Sequence, residues 1–165
     1  MARIEARSYE PADLAYLRGL AAQASIRRAD ALPVSEEDAV WSAFIEARHN
    51  TRCRLIMIIA DGAPAGFVNL TNWGVKEVYQ IGYCVDEARQ GAGVATQAVA
   101  ATAAALFKGS ECLRLQATVE PENAASIRVL EKAGFQREGV MRLGAKIGER
   151  LRDVLLFARL KEDEV

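Results

Sequence analysis

The sequence predicts a single mixed α/β domain over residues 1–165, in which a mostly antiparallel sheet carries helices on both faces. Short apolar runs bounded by turn residues alternate with helical patterns along the chain, which indicates strands interleaved with helices. A length of 165 residues is enough for one domain with a sizeable core. No repeat, low-complexity segment or linker divides the chain, so we expect one domain.

Local patterns predict the elements of the first third of the chain. Residues 3–8 alternate between apolar and polar, which is typical of a half-buried strand. Pro11 suits the first position of a helix. Ser35 is followed by three carboxylates, which predicts the capped start of a second helix near that residue. The residues between the two helices, 24–34, are predicted to form a loop.

The remaining two thirds begin with a hairpin, because a turn sequence, Asp61-Gly62-Ala63-Pro64, joins apolar runs at 54–60 and 65–70. The later elements follow from the same signals of periodicity, capping and turn chemistry. They are a strand at 78–85, a helix from about 91 to 107, a strand at 113–119, a helix that Asn123 caps and Gly134 ends, and strands near 139–147 and 150–160.

Composition excludes several classes of function. With 21 Lys and Arg against 22 Asp and Glu, the chain lacks the basic character of a nucleic-acid binder. No apolar run approaches the roughly 20 residues of a membrane helix, and the first residues do not resemble a signal peptide. Cys53, Cys84 and Cys112 are odd in number and widely spaced, and His49 is the only histidine. We therefore expect free thiols, no metal site and a cytoplasmic location.

A glycine-rich turn joins the predicted strand 78–85 directly to the following helix. Unpaired N–H groups at the start of a helix favour an anion, and glycines let a phosphate approach the backbone closely. No lysine follows Gly93, which excludes a nucleoside triphosphatase loop, and the position near Thr96 lacks the third glycine of a dinucleotide fingerprint. Three interpretations stay open here: a pyrophosphate cradle, a dinucleotide-binding loop, and a turn that only packs the helix against the sheet.

Two motifs resemble the GNAT superfamily of N-acetyltransferases. Residues 90–95, QGAGVA, match its Gln/Arg-x-x-Gly-x-Gly/Ala signature. Residues 123–135, NAASIRVLEKAGF, followed by Glu138-Gly139, resemble a block found in the branch that includes ribosomal-protein N-terminal acetyltransferases. The sequence GERLRD at 148–153 is similar to the final hairpin of that branch. The two main motifs lie in register about 30 residues apart, so together they are more specific than either alone.

The resemblance implies a fold in which the strands at 78–85 and 113–119 splay apart and the pantetheine arm of acetyl-CoA lies in the gap. It also implies that the N–H of Cys84 or Val85 polarises the thioester carbonyl. No metal is implied. By the same resemblance, the residues that contact acetyl-CoA are Tyr83, Cys84, Val85, Gln90, Gly91, Ala92, Gly93, Val94, Ala95, Thr96, Asn123 and Ser126.

The resemblance assigns Ser126 as the acid that protonates the departing CoA thiolate. Many superfamily members use a tyrosine four residues further along the helix, where this chain has Leu130. Asn123 either caps its helix only or also contacts the pantetheine arm, and both interpretations remain open. Cys84 has no neighbouring His, Lys or Arg in the sequence to lower its pKa, so we interpret it as a core thiol.

The general base is the least determined part of the predicted site. Gln80 stands where a relative often has glutamate, and glutamine cannot accept a proton. Glu77 and Glu120 are the nearest carboxylates, and we take Glu77 as the candidate base, with a surface role or a water chain as alternatives. Without a strong base, the site favours an amine of low pKa: at pH 7 an α-amine is about a tenth neutral and a lysine under about a thousandth.

These observations together predict an acetyl-CoA-dependent N-acetyltransferase that acts on a primary amine, either a protein N-terminal α-amine or a small molecule, through a ternary complex. The alternative is a catalytically silent acyl-CoA-binding sensor or interaction domain. We expect no nucleic-acid or membrane partner, and a homodimer is possible. Candidate acceptor-pocket residues are Arg27, Arg28, Trp41 and Trp73, each of which can equally be ordinary surface or core.

Overall fold

The computed structural model describes residues 3–28 and 31–164. Seven strands and five α-helices lie within this part of the chain, and a 3-10 turn at Pro11–Asp13 precedes the first helix. In chain order the elements are β1 Ile4–Ser8, α1 Leu14–Ala21, α2 Ala24–Arg28, α3 Asp38–Arg48, β2 Cys53–Ala60, β3 Ala63–Asn72, β4 Val78–Val85, α4 Val94–Gly109, β5 Arg114–Val119, α5 Ala124–Lys132, β6 Gln136–Ile147 and β7 Arg150–Leu160.

The strands form one sheet in the order β1-β2-β3-β4-β5-β7-β6. Every neighbouring pair is antiparallel except β4 and β5, which run parallel. The parallel pair requires a crossover, and α4 provides it between the two strands. The predicted mixed, mostly antiparallel sheet is therefore confirmed.

Strands β4 and β5 separate at the centre of this sheet. Their ladder contains only residues 78–80 of β4 against 114–116 of β5. Beyond Gln80, β4 stays paired with β3 as far as Val85, and β5 stays paired with β7 as far as Val119. The splay that the family resemblance implied is thus present, and it opens toward the carboxyl ends of both strands.

Helices cover both faces of the sheet and divide the apolar residues into two cores. One core contains Val94, Val99 and Phe107 of α4 and Leu130 of α5 against one face of the sheet. The other contains Leu17 and Trp41 with other residues of α1–α3 against the opposite face. Because side chains of a strand alternate between faces, Tyr83 packs against the first core and Cys84 belongs to the second.

The structure corrects three predicted boundaries. Residues 24–28 form a helix rather than a loop, because Ile26 is buried in the core with α1 and α3. Helix α3 begins at Asp38, and Ser35 does not cap it but accepts a hydrogen bond from the Glu37 N–H at 3.1 Å. Helix α4 begins at Val94 rather than near residue 91, because Gly91 and Gly93 have φ of 74° and 79°, outside the helical region.

No helix in the described ranges is both long enough and apolar enough to cross a membrane.

Gly66 of β3 lies opposite Val85, the last residue of β4. A Cβ on this residue would lie 2.1 Å from the carbonyl oxygen of Cys84, and its φ is 152°. We predict that Gly66→Ala lowers the free energy of unfolding by about 3 kcal/mol, through steric overlap and backbone strain. Urea unfolding measures this. Gly19→Ala in α1, where no atom lies within 4 Å of the new Cβ, is the control. Equal stability of the Gly66 variant and the wild type would contradict the prediction.

Asp13 is a buried carboxylate whose charged form is stabilised by hydrogen bonds from Arg7. Two guanidinium nitrogens of Arg7 donate to it at 2.7 and 2.6 Å, and the Glu10 N–H donates at 2.8 Å. The Arg7 hydrogen bonds, with the Glu10 N–H, hold the pKa of Asp13 below its usual range despite burial. A lowered pKa stabilises the fold above the unfolded value of about 3.9, and this contribution disappears as pH falls through the folded value.

We therefore predict that Asp13→Asn lowers the melting temperature at pH 7 and that its difference from the wild type shrinks as the pH falls below about 4. Thermal unfolding between pH 7 and 2.5 measures this difference. Glu46→Gln, an exposed change on α3, is the control and should track the wild type. A difference that stays constant across this range would show that Asp13 does not act through its charge.

Candidate active site

A pocket of about 530 Å³ opens where β4 and β5 separate. Its walls are the end of β4, the turn that leads into α4, the first turn of α4, one face of α5, and Ser25 and Ile26 of α2. All of the predicted acetyl-CoA contacts line it except Ala92. The predicted residues in the lining are Tyr83, Cys84, Val85, Gln90, Gly91, Gly93, Val94, Ala95, Thr96, Asn123 and Ser126.

The start of α4 forms one end of the pocket. Gly93, in the left-handed conformation with φ of 79°, is the residue before the helix and brings the first turn, Val94–Thr96, to the pocket wall. N–H groups of a first helical turn have no intrahelical acceptor, and the helix dipole adds partial positive charge there. This arrangement suits an anion such as a pyrophosphate.

Three cationic side chains line the same pocket: Arg89, Arg128 and Lys132. Arg128 and Lys132 lie four residues apart on exposed positions of α5, and neither pairs with a carboxylate in the described part of the chain. Neither residue is among the predicted acetyl-CoA contacts. The helical period predicts their position. Residues three or four apart on a helix share one face, so Arg128 and Lys132 lie on the same face of α5 as Ala125 and Val129, which line the pocket.

The backbone of β4 faces the gap at alternate residues. Trp73 donates to the carbonyl of Val78 at 2.9 Å, and Asp86 donates to the carbonyl of Ala65 at 2.9 Å, so the even-numbered residues of β4 direct their backbone groups toward β3. The N–H and C=O groups of Tyr83 and Val85 therefore point toward the gap. Between the two N–H groups considered for the oxyanion role, the geometry favours Val85 over Cys84.

Gln90 ties the turn to the end of β4. Its Nε2 donates to the carbonyl of Val85 at 3.0 Å and to Oγ of Ser25 at 3.3 Å. The N–H of Ser25 in turn donates to Glu87 Oε1 at 2.7 Å, and the Glu87 N–H donates to Gln23 Oε1 at 2.9 Å. The side chain of Gln90 is thus occupied within the protein, and α2 is fastened to the turn.

The hydroxyls of Ser126 and Tyr83 lie 2.7 Å apart in the lining of the pocket. Tyr83 also lies 3.2 Å from the carbonyl of Ser126, to which it can donate. Burial raises the pKa of Tyr83 to about 12, so its hydroxyl stays protonated at neutral pH. The Asn123 side chain accepts the Ser126 N–H at 3.0 Å, which confirms Asn123 as the cap of α5 and orients the residue that follows.

Tyr83 was predicted to contribute only its backbone, and the structure adds its hydroxyl. A strand side chain reaches toward a helix in this way only because α5 packs on the face of the sheet to which Tyr83 points. The position where many superfamily members carry a helix tyrosine is occupied by Leu130, which is 1% exposed and belongs to the core. The nearby Cys84 thiol is also buried, which raises its pKa to about 12, and this fits the interpretation of a core thiol.

The structure does not bring Glu77 to the pocket. Glu77 lies immediately before β4, six residues from Tyr83, which is about 20 Å along an extended strand. Its carbonyl accepts hydrogen bonds from Leu113 and Arg114 at 2.8 and 3.0 Å. Glu120 is paired with Arg152 at 3.0 Å. The described lining of the pocket contains no carboxylate, so a candidate base is not found there.

The candidate acceptor-pocket residues lie in different environments. Trp41 is 1% exposed in the core and donates to the Ser35 carbonyl at 2.8 Å, so it is a core residue. Trp73 lies exposed on the β3–β4 turn, and Arg27 is exposed on α2. The side chain of Arg28 lies outside the described part of the chain. No cluster of metal-ligating side chains was found in the ranges that the structure describes.

Comparisons with known proteins identify relatives of this chain. A protein named "Probable N-acetyltransferase YjcK" from Bacillus subtilis is 38% identical over 91 residues, which is 55% of this chain and 50% of that protein. The chain thus spans about half the length of the curated relatives it matches first. The E. coli ribosomal-protein-serine acetyltransferase is 23% identical over 139 residues, 75% of this chain and 78% of that protein.

Among solved structures, Mycobacterium smegmatis RimJ in complex with CoA-disulfide is 28% identical with a TM-score of 0.82, over 97% of this chain and 83% of that one. A spermidine N-acetyltransferase from Vibrio cholerae shares the fold, with a TM-score of 0.83 and 18% identity over 97% and 96% of the two chains. The sequence profile of the family described as "Acetyltransferase (GNAT) domain" matches residues 3–136. The chain therefore belongs to the GNAT acetyltransferase family.

Proposed function

We propose that this chain is an N-acetyltransferase domain that moves an acetyl group from acetyl-CoA to a primary amine by direct attack in a ternary complex. The observation that carries the proposal is the Tyr83–Ser126 hydroxyl pair, which lies in the pocket where β4 and β5 separate. The CoA-containing RimJ structure, 28% identical to this chain, supports the cofactor. The free thiols Cys53, Cys84 and Cys112 support a reducing, cytoplasmic location.

Different parts of the pocket suit different parts of acetyl-CoA. The turn and first helical turn at residues 90–96 would hold the pyrophosphate, since unpaired N–H groups and the helix dipole favour anions. Arg128 and Lys132 would add charge-assisted contacts to phosphate oxygens. The N–H and C=O groups of Tyr83, which face the gap, would pair with the amides of the pantetheine arm.

Acetyl-CoA supplies an activated thioester, and the residues of this chain act on its two ends. The Val85 N–H donates to the carbonyl oxygen as negative charge develops there during attack by the neutral amine. The Ser126 hydroxyl gives its proton to the sulfur as the carbon–sulfur bond breaks, and Tyr83 returns a proton to Ser126. Water then reprotonates Tyr83, which balances the proton that the amine releases to water. The amine loses its extra proton to water, since the described lining offers no carboxylate.

The absence of a carboxylate from the described lining, together with Gln80 in place of glutamate, favours a second candidate, an acyl-CoA-binding domain without turnover. One measurement distinguishes the two functions. A thiol-detecting dye follows the release of CoA from acetyl-CoA in the presence of a panel of peptides and polyamines. Tight CoA binding with no release above the rate without acceptor would contradict the enzyme.

The main test removes each hydroxyl of the pair. We predict that Ser126→Ala and Tyr83→Phe each lower kcat about 100-fold while the KM for acetyl-CoA changes less than about threefold, because proton transfer occurs in the transition state and not on binding. Tyr79→Phe removes a hydroxyl from the same strand outside the pocket and serves as the control. An unchanged kcat in both variants would remove the pair from the mechanism.

The two exposed cations of α5, Arg128 and Lys132, are predicted to attract the phosphates of CoA. The double variant Arg128→Ala and Lys132→Ala should raise the Kd for CoA about tenfold and weaken its dependence on salt, because the exposed cations attract the phosphates. Calorimetric titration at 50 and 300 mM salt measures both effects. Lys108→Ala, an exposed cation at the far end of α4, should bind CoA like the wild type. The same Kd in the double variant would place the phosphates elsewhere.

A further inference from the structure

We propose that the carboxamides of Asn69 and Gln80 form the subsite that holds the attacking amine, on the face of the sheet opposite to Ser126. The inference rests on the proposed function and deepens it by assigning residues to the acceptor side. Neither residue lines the pocket described above.

The register of β3 and β4 places the two side chains on one face. Asn69 lies opposite Gly82, and Thr71 lies opposite Gln80, so Asn69 and Gln80 are diagonal neighbours about 7–8 Å apart. Two residues further along, Phe67 lies opposite Cys84, and both belong to the core that α1–α3 cover. The subsite therefore faces those helices, whereas Tyr83 and Ser126 lie on the other side.

Gly82 opens the sheet surface between these side chains. It is exposed, although Ile81 and Cys84 beside it are buried, and no atom lies within 4 Å of the position that a Cβ would take. Gly82 is also the second residue after Gln80, where the pairing of β4 with β5 ends. The opening over Gly82 therefore adjoins the gap that leads through to Ser126.

Both carboxamides have an oxygen that receives no hydrogen bond from the described residues. Within residues 3–28 and 31–164, Asn69 Oδ1 and Gln80 Oε1 are buried and have no partner, although burial of an unsatisfied oxygen costs about 1–3 kcal/mol. Asn69 Nδ2 donates to Thr71 Oγ1 at 3.1 Å, which leaves its oxygen as the free end. A half turn of the Gln80 carboxamide exchanges its oxygen and nitrogen. Two free acceptors beside an opening suit a ligand that brings N–H donors.

Hydrogen-bond acceptors that carry no charge discriminate between amines of different pKa. A carboxylate here would stabilise the ammonium form and raise the pKa of the bound amine, whereas a carboxamide carries no charge and partial burial lowers that pKa. The nucleophile must be the neutral amine, so the subsite favours an α-amino group, with pKa near 8, over a lysine or polyamine near 10.4. Asn69 and Gln80 are thus positioning residues that set the amine class.

The experiment uses two probe peptides, one with a free α-amine and no lysine, and one with an acetylated N-terminus and a single lysine. We expect the wild type to acetylate the first at least tenfold faster. Gln80→Met, which keeps the shape but removes the acceptor, and Asn69→Ala should each raise the KM for the α-amine peptide about tenfold without changing the KM for acetyl-CoA. Gln80→Glu should shift the preference about tenfold toward the lysine peptide and move the acid limb of the pH–rate profile.

Gln136→Glu, at an exposed position of β6, makes the same chemical change elsewhere and should leave the preference unchanged. A second readout needs no turnover: titration of the α-amine peptide into protein saturated with CoA should show a tenfold weaker Kd for Gln80→Met, with melting temperatures recorded for each variant.

Unchanged peptide KM and Kd in Gln80→Met and Asn69→Ala would overturn the subsite and indicate that water satisfies the two oxygens. If a variant is unstable, the pH profile of Gln80→Glu alone decides: an acid limb identical to that of the wild type overturns the subsite. A wild type that binds CoA and the peptide but releases no CoA contradicts the proposed function instead.

Discussion

The separation of β4 and β5 after Gln80 is the constraint on which the site depends. Two adjacent parallel strands normally satisfy each other's backbone groups, and here each keeps only its outer partner. The N–H and C=O groups of Tyr83 and Val85 are left facing the gap. Gly66 makes this possible on the outer side, because a side chain there would collide with the Cys84 carbonyl and push β4 away from β3. Two separate cores bury the two faces of the sheet around this opening.

The Tyr83–Ser126 hydroxyl pair combines two elements that are distant in sequence. Ser126 sits in the first turn of α5, held by the Asn123 cap, and Tyr83 reaches it from β4. Burial raises the pKa of Tyr83 to about 12, so this hydroxyl stays protonated at neutral pH. In this chain the strand thus supplies a tyrosine beside the pocket, whereas the corresponding helix position, Leu130, fills the core.

Sequence reasoning was most accurate where local chemistry decides the outcome. The strand at 78–85 and the Asn123 cap follow from alternation and capping, and both are confirmed. It was least accurate where tertiary packing decides. Residues 24–28 look like a loop, yet burial of Ile26 makes them a helix. Glu77 is close to the motif in sequence, but an extended strand carries it about 20 Å from Tyr83. Neither the Tyr83–Ser126 contact nor the free oxygens of Asn69 and Gln80 follow from any local pattern.

The peptide between Val85 and Asp86 links the two sides of the site. Its N–H donates to the Ala65 carbonyl, and its carbonyl accepts from Gln90, so the plane of this peptide is held at both ends. The same Gln90 amide contacts Ser25 of α2, which packs on the side of the sheet that carries Asn69 and Gln80. Hydrogen bonds of Gln90 thus connect α2 to the end of β4, where the thioester is proposed to lie.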